Sequence, residues 1–274
     1  MSNLGVKSIT DVIIERYSVR SYNGDFLSEE IIEDIEEYIS NLDNPFNVNV
    51  RIRLIKKEKY DGVVSLGTYG VINGAKYYLV AVCENKDFAL EALGYTFEKA
   101  ILYCTSLGLA TVWIGGTFSK GDFEKTINLR DNEILPVVSP IGYEGGKKSL
   151  IASFIKENRN KRRNFSDLFY NKDFDTPLNK GKDEYSEALE MVRLAPSSLN
   201  SQPWRIVKSE ESLHIYCNGK KKMNKIDIGI ALSHIDLYME EKDIKGEFKF
   251  IDPNLKTKYK YVVSWVKNSK IYIN

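Results

Sequence analysis

The sequence predicts a fold of helices and strands in packed layers, formed from two related halves. Apolar strands alternate with amphipathic helices over short connections, which is typical of mixed α and β folds. Residues 144–183 are polar and show little periodicity, and 175–181 have the composition of a linker. Beyond them, a helix pattern and a strand pattern of the first half recur at a spacing of 135 residues. These observations predict an internally duplicated chain with two domains, 1–174 and 184–274.

The first predicted domain alternates helices and strands. Ser28 is a predicted N-cap, with Glu29 and Glu30 in the first helical turn. The run 77–82 is apolar throughout, which indicates a central strand. Helices are predicted at 8–16, 28–41 and 95–107, and strands at 50–54, 77–82, 110–114 and 137–141. Gly108 is predicted to end the third helix.

The second predicted domain repeats part of this order. A helix, a loop and a strand are predicted within 184–208, followed by a strand at 213–217 and a helix at 226–241. The last helix matches the earlier long helix in three pairs, each 135 residues apart: Gly94 with Gly229, Leu102 with Leu237, and Tyr103 with Tyr238. Two interpretations stay open, which are duplication of one unit and chance agreement between amphipathic helices.

Composition and charge argue against several classes of function. The 274 residues include 39 Lys and Arg against 38 Asp and Glu, a balance that is unusual for a nucleic-acid-binding protein. Three cysteines without metal-type spacing and only two histidines predict no metal site and no serine–histidine–aspartate triad. No signal segment is recognised, and no apolar run reaches the roughly 20 residues of a membrane span. We therefore expect a cytoplasmic protein with no membrane partner and no nucleic-acid partner.

The stretch 195–204, Ala-Pro-Ser-Ser-Leu-Asn-Ser-Gln-Pro-Trp, is the most informative part of the sequence. Pro196 and Pro203 each fix φ and bias the preceding residue towards extended geometry. Between them lie four side chains that can form hydrogen bonds: Ser197, Ser198, Asn200 and Gln202. Two interpretations follow, a loop that binds a polar ligand or a helix-to-strand connection whose polar side chains cap the backbone.

This decapeptide resembles a characteristic loop of the nitroreductase family of FMN-dependent NAD(P)H oxidoreductases. The resemblance implies an α+β, nitroreductase-like fold with a central, mostly antiparallel sheet flanked by helices. Members of the family are homodimers in which this loop reaches the flavin bound mainly by the other subunit. A duplicated chain would mimic that dimer within one polypeptide, so we expect a monomer that acts as an intramolecular pseudo-dimer.

A second motif, Arg16-Tyr17-Ser18-Val19-Arg20, places two guanidinium groups four residues apart with a hydroxyl between them. Arg binds phosphate through charge-assisted hydrogen bonds, whereas the simpler interpretation is a solvated helix end. The motif resembles the family's N-terminal R-R-S-x-R-x-[FY], and Glu15 and Tyr17 depart from the most common residues of that motif. The resemblance implies that Arg16 and Ser18 contact the FMN phosphate and that Arg20 contacts phosphate or ring.

A third motif, residues 107–116, is similar to the family's G-L-G-T-x-W-I-G segment and includes Trp113 and Ile114. Glycine lets a backbone amide approach a ligand closely because it has no Cβ. The resemblance implies that the amide of Gly115 or Gly116 points at flavin N5. From the residues alone, a plain turn at a strand end is the better explanation of the pair of glycines.

Residues 160–168 resemble the family's late basic motif, K-x-R-x-P-L-E-E. When the two are aligned, the resemblance implies that Arg162 is a ligand of the FMN phosphate, with Arg163 or Lys161 as alternatives. Residues 68–75 fall where the family contacts the flavin pyrimidine edge, but its usual Asn and Lys are absent, and Arg20 is a candidate for that role. The predicted cofactor-binding set is Arg16, Tyr17, Ser18, Arg20, Trp113, Ile114, Gly115, Gly116, Arg162, Arg163, Pro196, Ser197, Ser198 and Asn200.

The resemblance implies an oxidoreductase that moves hydride from NAD(P)H via FMN to a small aromatic or quinone-like acceptor. No protein residue is predicted to be catalytic and no metal is expected, because the flavin carries the chemistry. A second site would need an arginine motif near 175–185 and a Ser/Asn loop near 40–48, and the sequence fits neither. This predicts one FMN per chain. The alternative function is a catalytically silent flavin-binding protein that serves storage or regulation.

Overall fold

The chain packs as two compact units, Met1–Asn160 and Lys161–Asn274. The computed structural model describes residues 7–57, 66–145, 161–181 and 184–268. Parts of the predicted polar connection, 146–160 and 182–183, lie outside the described residues.

The first unit contains a four-stranded sheet with the order β1-β2-β4-β3, in which all neighbouring strands are antiparallel. Its elements are α1 (Ile9–Glu15), α2 (Glu29–Ser40), β1 (Val50–Lys56), β2 (Tyr77–Glu84), α3 (Ala89–Ser106), β3 (Ala110–Thr111), α4 (Lys120–Thr126) and β4 (Glu133–Gly142). The predicted N-cap is confirmed, since Ser28 Oγ accepts a hydrogen bond from Ile31 N at 3.3 Å. Strand β2 lies between β1 and β4 and is buried over seven of its eight residues, as its apolar run predicts.

The second unit contains a five-stranded sheet with the order β5-β6-β7-β9-β8. Its elements are α5 (Phe165–Leu168), β5 (Phe169–Asn171), α6 (Glu184–Leu194), a single 3-10 turn at Ser198–Asn200, β6 (Trp204–Lys208), β7 (Ser212–Cys217), α7 (Lys222–Glu241), β8 (Gly246–Lys249) and β9 (Lys260–Lys267). Among the strand pairs that the structure describes in this sheet, β5–β6 is the parallel one and the others are antiparallel. Both units therefore have the mostly antiparallel sheet with flanking helices that the resemblance implies, although each unit has its own sheet.

The border between the units lies earlier than the predicted end of the first domain at residue 174. Strand β5 pairs with β6, and Leu178 N donates to Phe169 O at 2.9 Å. These backbone bonds attach residues 161–174, and the predicted linker after them, to the second unit. The predicted strand 110–114 also differs, because only Ala110–Thr111 forms a regular strand and Ile114 makes an isolated bridge to Val138.

The two sheets share an order of strands. In each unit an antiparallel pair, β1–β2 or β6–β7, precedes a long helix, α3 or α7. A short edge strand, β3 or β8, comes after the helix in each unit. The next strand, β4 or β9, pairs with that edge strand on one side and with β2 or β7 on the other. An irregularity in the ladder occurs at Ala81/Cys83 in one sheet and at Ile215/Tyr216 in the other, and Ala81 and Tyr216 are 135 residues apart.

Candidate flavin-binding residues

Within the first unit, three stretches that the sequence analysis singled out lie side by side. Ser18 forms a bridge with Thr111, and Val19 N donates to Thr111 O at 2.9 Å. On its other side, Arg20 O accepts from Asn73 N at 3.0 Å. The basic motif is therefore held between the segment that leads to the glycine turn and the 68–75 segment.

Arg16 is a buried cation with an incompletely satisfied guanidinium. Its side chain is 5% exposed, and Nε lies 3.9 Å from Glu98 Oε1. Its Nη1 is buried and has no hydrogen-bond partner among the described residues. Burial lowers the pKa of Arg16 and the Glu98 carboxylate opposes that shift. Because guanidinium stays protonated in proteins, this site holds a positive charge with an unused donor.

Further polar atoms without partners lie in the same region. Arg20 Nε, Ser21 Oγ and Thr111 Oγ1 are buried without a hydrogen-bond partner in the part of the chain that the structure describes. Burial lowers the pKa of Arg20, and Tyr22 opposes the shift. Tyr17 is exposed, and its hydroxyl donates to Glu144. Arg16 and Arg20 belong to the second motif, Ser21 directly follows it, and Thr111 belongs to the third motif.

Glu98, which sequence reasoning missed, joins these two motifs. It is fully buried on α3, and its Oε2 accepts a 2.7 Å hydrogen bond from Trp113 Nε1. The Trp113 ring also packs edge-on against Phe97, with centroids 4.9 Å apart. A charged residue at a buried position of an apolar helix was the available sequence signal, because such residues are rare without a partner.

The glycine turn follows this fixed tryptophan. Ile114 exchanges backbone hydrogen bonds with Val138, at 2.9 and 3.0 Å. Gly115 and Gly116 are exposed, and a Cβ added at Gly116 would meet no atom within 4 Å. The backbone here is thus accessible to a ligand, directly after a rigid bridge.

In the second unit, the proline-bracketed loop has a constrained backbone. Leu199, Asn200 and Gln202 have left-handed φ values of 52°, 55° and 47°. Non-glycine residues rarely adopt this region, so three in four residues indicate a conformation imposed by surrounding contacts. One such contact is the 3.0 Å bond from Gln202 N to Ser197 Oγ. Leu199 is 94% exposed at the tip, and Pro196 and Ser198 are half-buried.

Arg162 lies beside this loop, but its observed partners are protein atoms. Its Nη1 donates to Ala195 O at 2.8 Å and to Asn200 Oδ1 at 3.1 Å, and its Nη2 donates to Leu194 O at 2.7 Å. The Arg163 side chain is exposed, and its backbone N donates to Gln202 Oε1 at 2.9 Å. The structure therefore brings Arg162, Arg163 and Asn200 together through a network internal to the second unit.

Asp227 of α7 anchors the other side of the loop and was also missed from sequence. Its Oδ1 accepts from Ser198 N at 2.8 Å, and Ser201 Oγ donates to Oδ2 at 3.4 Å. Burial raises the pKa of Asp227 to about 6, and these bonds, with one to Asn224, counteract the rise. Acidic residues on helices are usually solvent-exposed, and the same helix carries Asp236, Glu240 and Glu241, so residue type alone does not single out Asp227.

Other kinds of site receive no support from the described residues. No group of three His, Cys, Asp or Glu residues among them could hold a metal ion. In the same part of the chain, no helix is both long and apolar enough to cross a membrane. The three cysteines are buried thiols, and burial raises the pKa of Cys83 to about 12.

Comparisons with known proteins agree with the motifs. Residues 8–239 match a family model described as "Putative TM nitroreductase". A "putative nitroreductase" from Thermotoga maritima has a TM-score of 0.65 and 21% identity, over 97% of this chain and 96% of that chain. This likeness confirms the predicted nitroreductase-like fold.

Smaller solved structures match about half of the chain. A nitroreductase with bound FMN from Desulfitobacterium hafniense has a TM-score of 0.40 and 20% identity, over 53% of this chain and 93% of that chain. A second, with bound FMN, from Bacteroides fragilis has a TM-score of 0.42 and 16% identity, over 53% and 95%. No curated protein matches the chain.

Proposed function

Because the chain belongs to the nitroreductase family described as "Putative TM nitroreductase", we propose that it is an FMN-dependent oxidoreductase. In this proposal, hydride moves from NAD(P)H through FMN to a small aromatic or quinone-like acceptor. The proposal rests on the motif resemblance and on one structural observation, the buried polar atoms around Arg16 and Arg20 that have no partner among the residues the structure describes. A cytoplasmic location is part of the proposal.

The chemistry of these donors fits the FMN phosphate. Arg16 Nη1 and Arg20 Nε are buried donors of two cations without acceptors among the described residues. A buried donor without a partner costs about 1–3 kcal/mol, and more when it is charged. A phosphate dianion accepts several charge-assisted hydrogen bonds, which would remove this cost. Binding of FMN is thus expected to stabilise the first unit as well as to load the site.

The glycine turn is suited to orient the ring. When bound, FMN would supply the capacity to accept and donate hydride. The bridge between Ile114 and Val138 and the hydrogen bond of Trp113 to Glu98 fix the chain just before the turn. We propose that the amide of Gly115 or Gly116 donates to flavin N5, where negative charge develops on reduction. No side chain is assigned a proton-transfer role.

We propose that FMN is also bound by four residues of the second unit: Pro196, Ser197, Ser198 and Asn200. This part of the proposal rests on the decapeptide resemblance, and the strained, internally bonded loop supports it, because backbone strain tends to occur at functional sites. We further propose that the chain is a fused, diverged pair of units, since the two sheets share their strand order and the position of a ladder irregularity. The expected consequences are a monomer and one FMN per chain.

Anaerobic reduction tests the proposed activity. Purified protein is saturated with FMN, desalted and titrated with NADH and with NADPH under nitrogen, while the flavin absorbance is followed. We expect one or both nucleotides to bleach the flavin band, and an added quinone to restore it. A bound flavin that neither nucleotide reduces would favour the silent flavin-binding alternative.

A further inference from the structure

We infer that Arg162 is a positioning residue for the 195–203 loop and is not the phosphate ligand that its motif register predicts. This inference rests on the proposed FMN binding. Both terminal nitrogens of the guanidinium donate to acceptors within the second unit, at 2.7–3.1 Å: Leu194 O, Ala195 O and Asn200 Oδ1. Arg162 therefore clamps the end of α6 to the side chain of Asn200.

The acceptors explain why a guanidinium stands here. Helix α6 ends at Leu194, and the last carbonyls of a helix have no intrahelical donor and carry partial negative charge. The planar fork of Arg can serve two such carbonyls at once, and a lysine cannot reproduce it. A phosphate that took these donors would leave the Leu194 and Ala195 carbonyls without them, which is costly in a half-buried site.

Through Asn200, the clamp sets the conformation of the loop. The Asn200 Oδ1 atom accepts from Arg162 and from Gln202 Nε2, both at 3.1 Å, and its Nδ2 donates to Lys161 O at 3.0 Å. Gln202 in turn accepts from Arg163 N at 2.9 Å. Asn200 and Gln202 are two of the left-handed residues, so this network holds the part of the loop that most needs external support.

The test compares FMN with riboflavin, which lacks only the phosphate. Dissociation constants of both flavins are measured by fluorescence quenching for the unmodified protein, Arg162→Lys and Arg162→Ala. We expect each variant to weaken both flavins by about tenfold, so that their affinity ratio changes by less than about twofold. A loss confined to FMN would overturn the inference. Arg162→Lys keeps the positive charge. If this variant bound FMN as tightly as the unmodified protein does, the inference would also be overturned.

A measurement without flavin tests the clamp itself. We expect the amides of Ser198, Asn200 and Gln202 to exchange hydrogen at least about tenfold faster in apo Arg162→Lys than in the unmodified protein. The control Lys225→Ala removes one exposed positive charge from α7 and should change neither exchange nor affinity. Unchanged exchange in Arg162→Lys would contradict the inference alone. Failure of the unmodified protein to bind either flavin would instead contradict the proposed function.

Discussion

The backbone amide of Ser198 donates a 2.8 Å hydrogen bond to Oδ1 of Asp227, which ties the proline-bracketed loop to α7. The Ser201 hydroxyl binds the other carboxylate oxygen. Burying a charged carboxylate costs free energy. Here the Asp227 carboxylate provides the hydrogen-bond acceptor that the Ser198 amide and the Ser201 hydroxyl of the loop require. The loop is thus held on one side by Asp227 and on the other by Arg162.

Asp227→Asn should change how stability depends on pH. The folded protein holds a proton on Asp227 with a pKa of about 6, above the ordinary value near 3.9 in an unfolded chain. Protonation therefore stabilises the fold at low pH, and that contribution disappears as the pH rises through 6. The change in the free energy of unfolding caused by Asp227→Asn should therefore be more stabilising at pH 7.0 than at pH 4.5, by about 2 kcal/mol.

Urea unfolding at the two pH values measures this difference. Asn keeps an oxygen that can accept from Ser198 N, so the loop bond survives the substitution. Asp227→Ala serves as the contrast, because it removes the acceptor and should destabilise the protein at both pH values. Parallel pH profiles for the unmodified protein and Asp227→Asn would show that Asp227 does not titrate in this range.

Arg16→Ala should weaken FMN binding by about 1.5–3 kcal/mol, the scale of a hydrogen bond to a charged group. The effect on riboflavin should be much smaller, because the lost donor serves the phosphate. Arg53→Ala is the matched control, since it removes an exposed Arg from β1 of the same unit. Fluorescence titration gives both affinities, and equal losses for FMN and riboflavin would refute the phosphate assignment.

Gly74→Ala should destabilise the first unit by about 2–4 kcal/mol. Gly74 has φ +78°, and a Cβ there would overlap the carbonyl oxygen of Tyr22, which follows Arg20 in the basic motif. Gly121→Ala is the control, because its Cβ would meet no atom within 4 Å and alanine favours the helix α4. Chemical denaturation of both variants measures the contrast, and equal stability would mean that this close approach is unimportant.

Local patterns predicted much of the fold. The N-cap Ser28 and the central strand β2 were read from residue types that act within a few positions, and both are confirmed. Strand β8, Gly246–Lys249, was not predicted because it is short and polar. Its extended conformation is stabilised by antiparallel backbone pairing with β9, which the residue pattern does not reveal. Strand β3 is shorter than predicted because Val112 N bonds to the Ser139 side chain, which interrupts the ladder. Ile114 then pairs with Val138 in the same register.

Sequence motifs identified the candidate residues, whereas the structure was needed to identify their hydrogen-bond partners. The motifs identified Arg16 and Arg162 as a similar pair of cations, but the structure separates their environments. Arg16 has a buried nitrogen that finds no acceptor in the described part of the chain, whereas Arg162 donates to helix-end carbonyls. Which acceptor a guanidinium meets depends on tertiary packing, which residue spacing does not contain.

The flavin-to-chain ratio of FMN-saturated, desalted protein tests the central claim most directly. Flavin absorbance is compared with the chain concentration from quantitative amino-acid analysis, and the mass in solution is measured on the same sample. We predict one FMN per 31.4 kDa chain and a monomer. A ratio near zero would contradict FMN binding, and a ratio near two would contradict the proposal of one FMN site per chain.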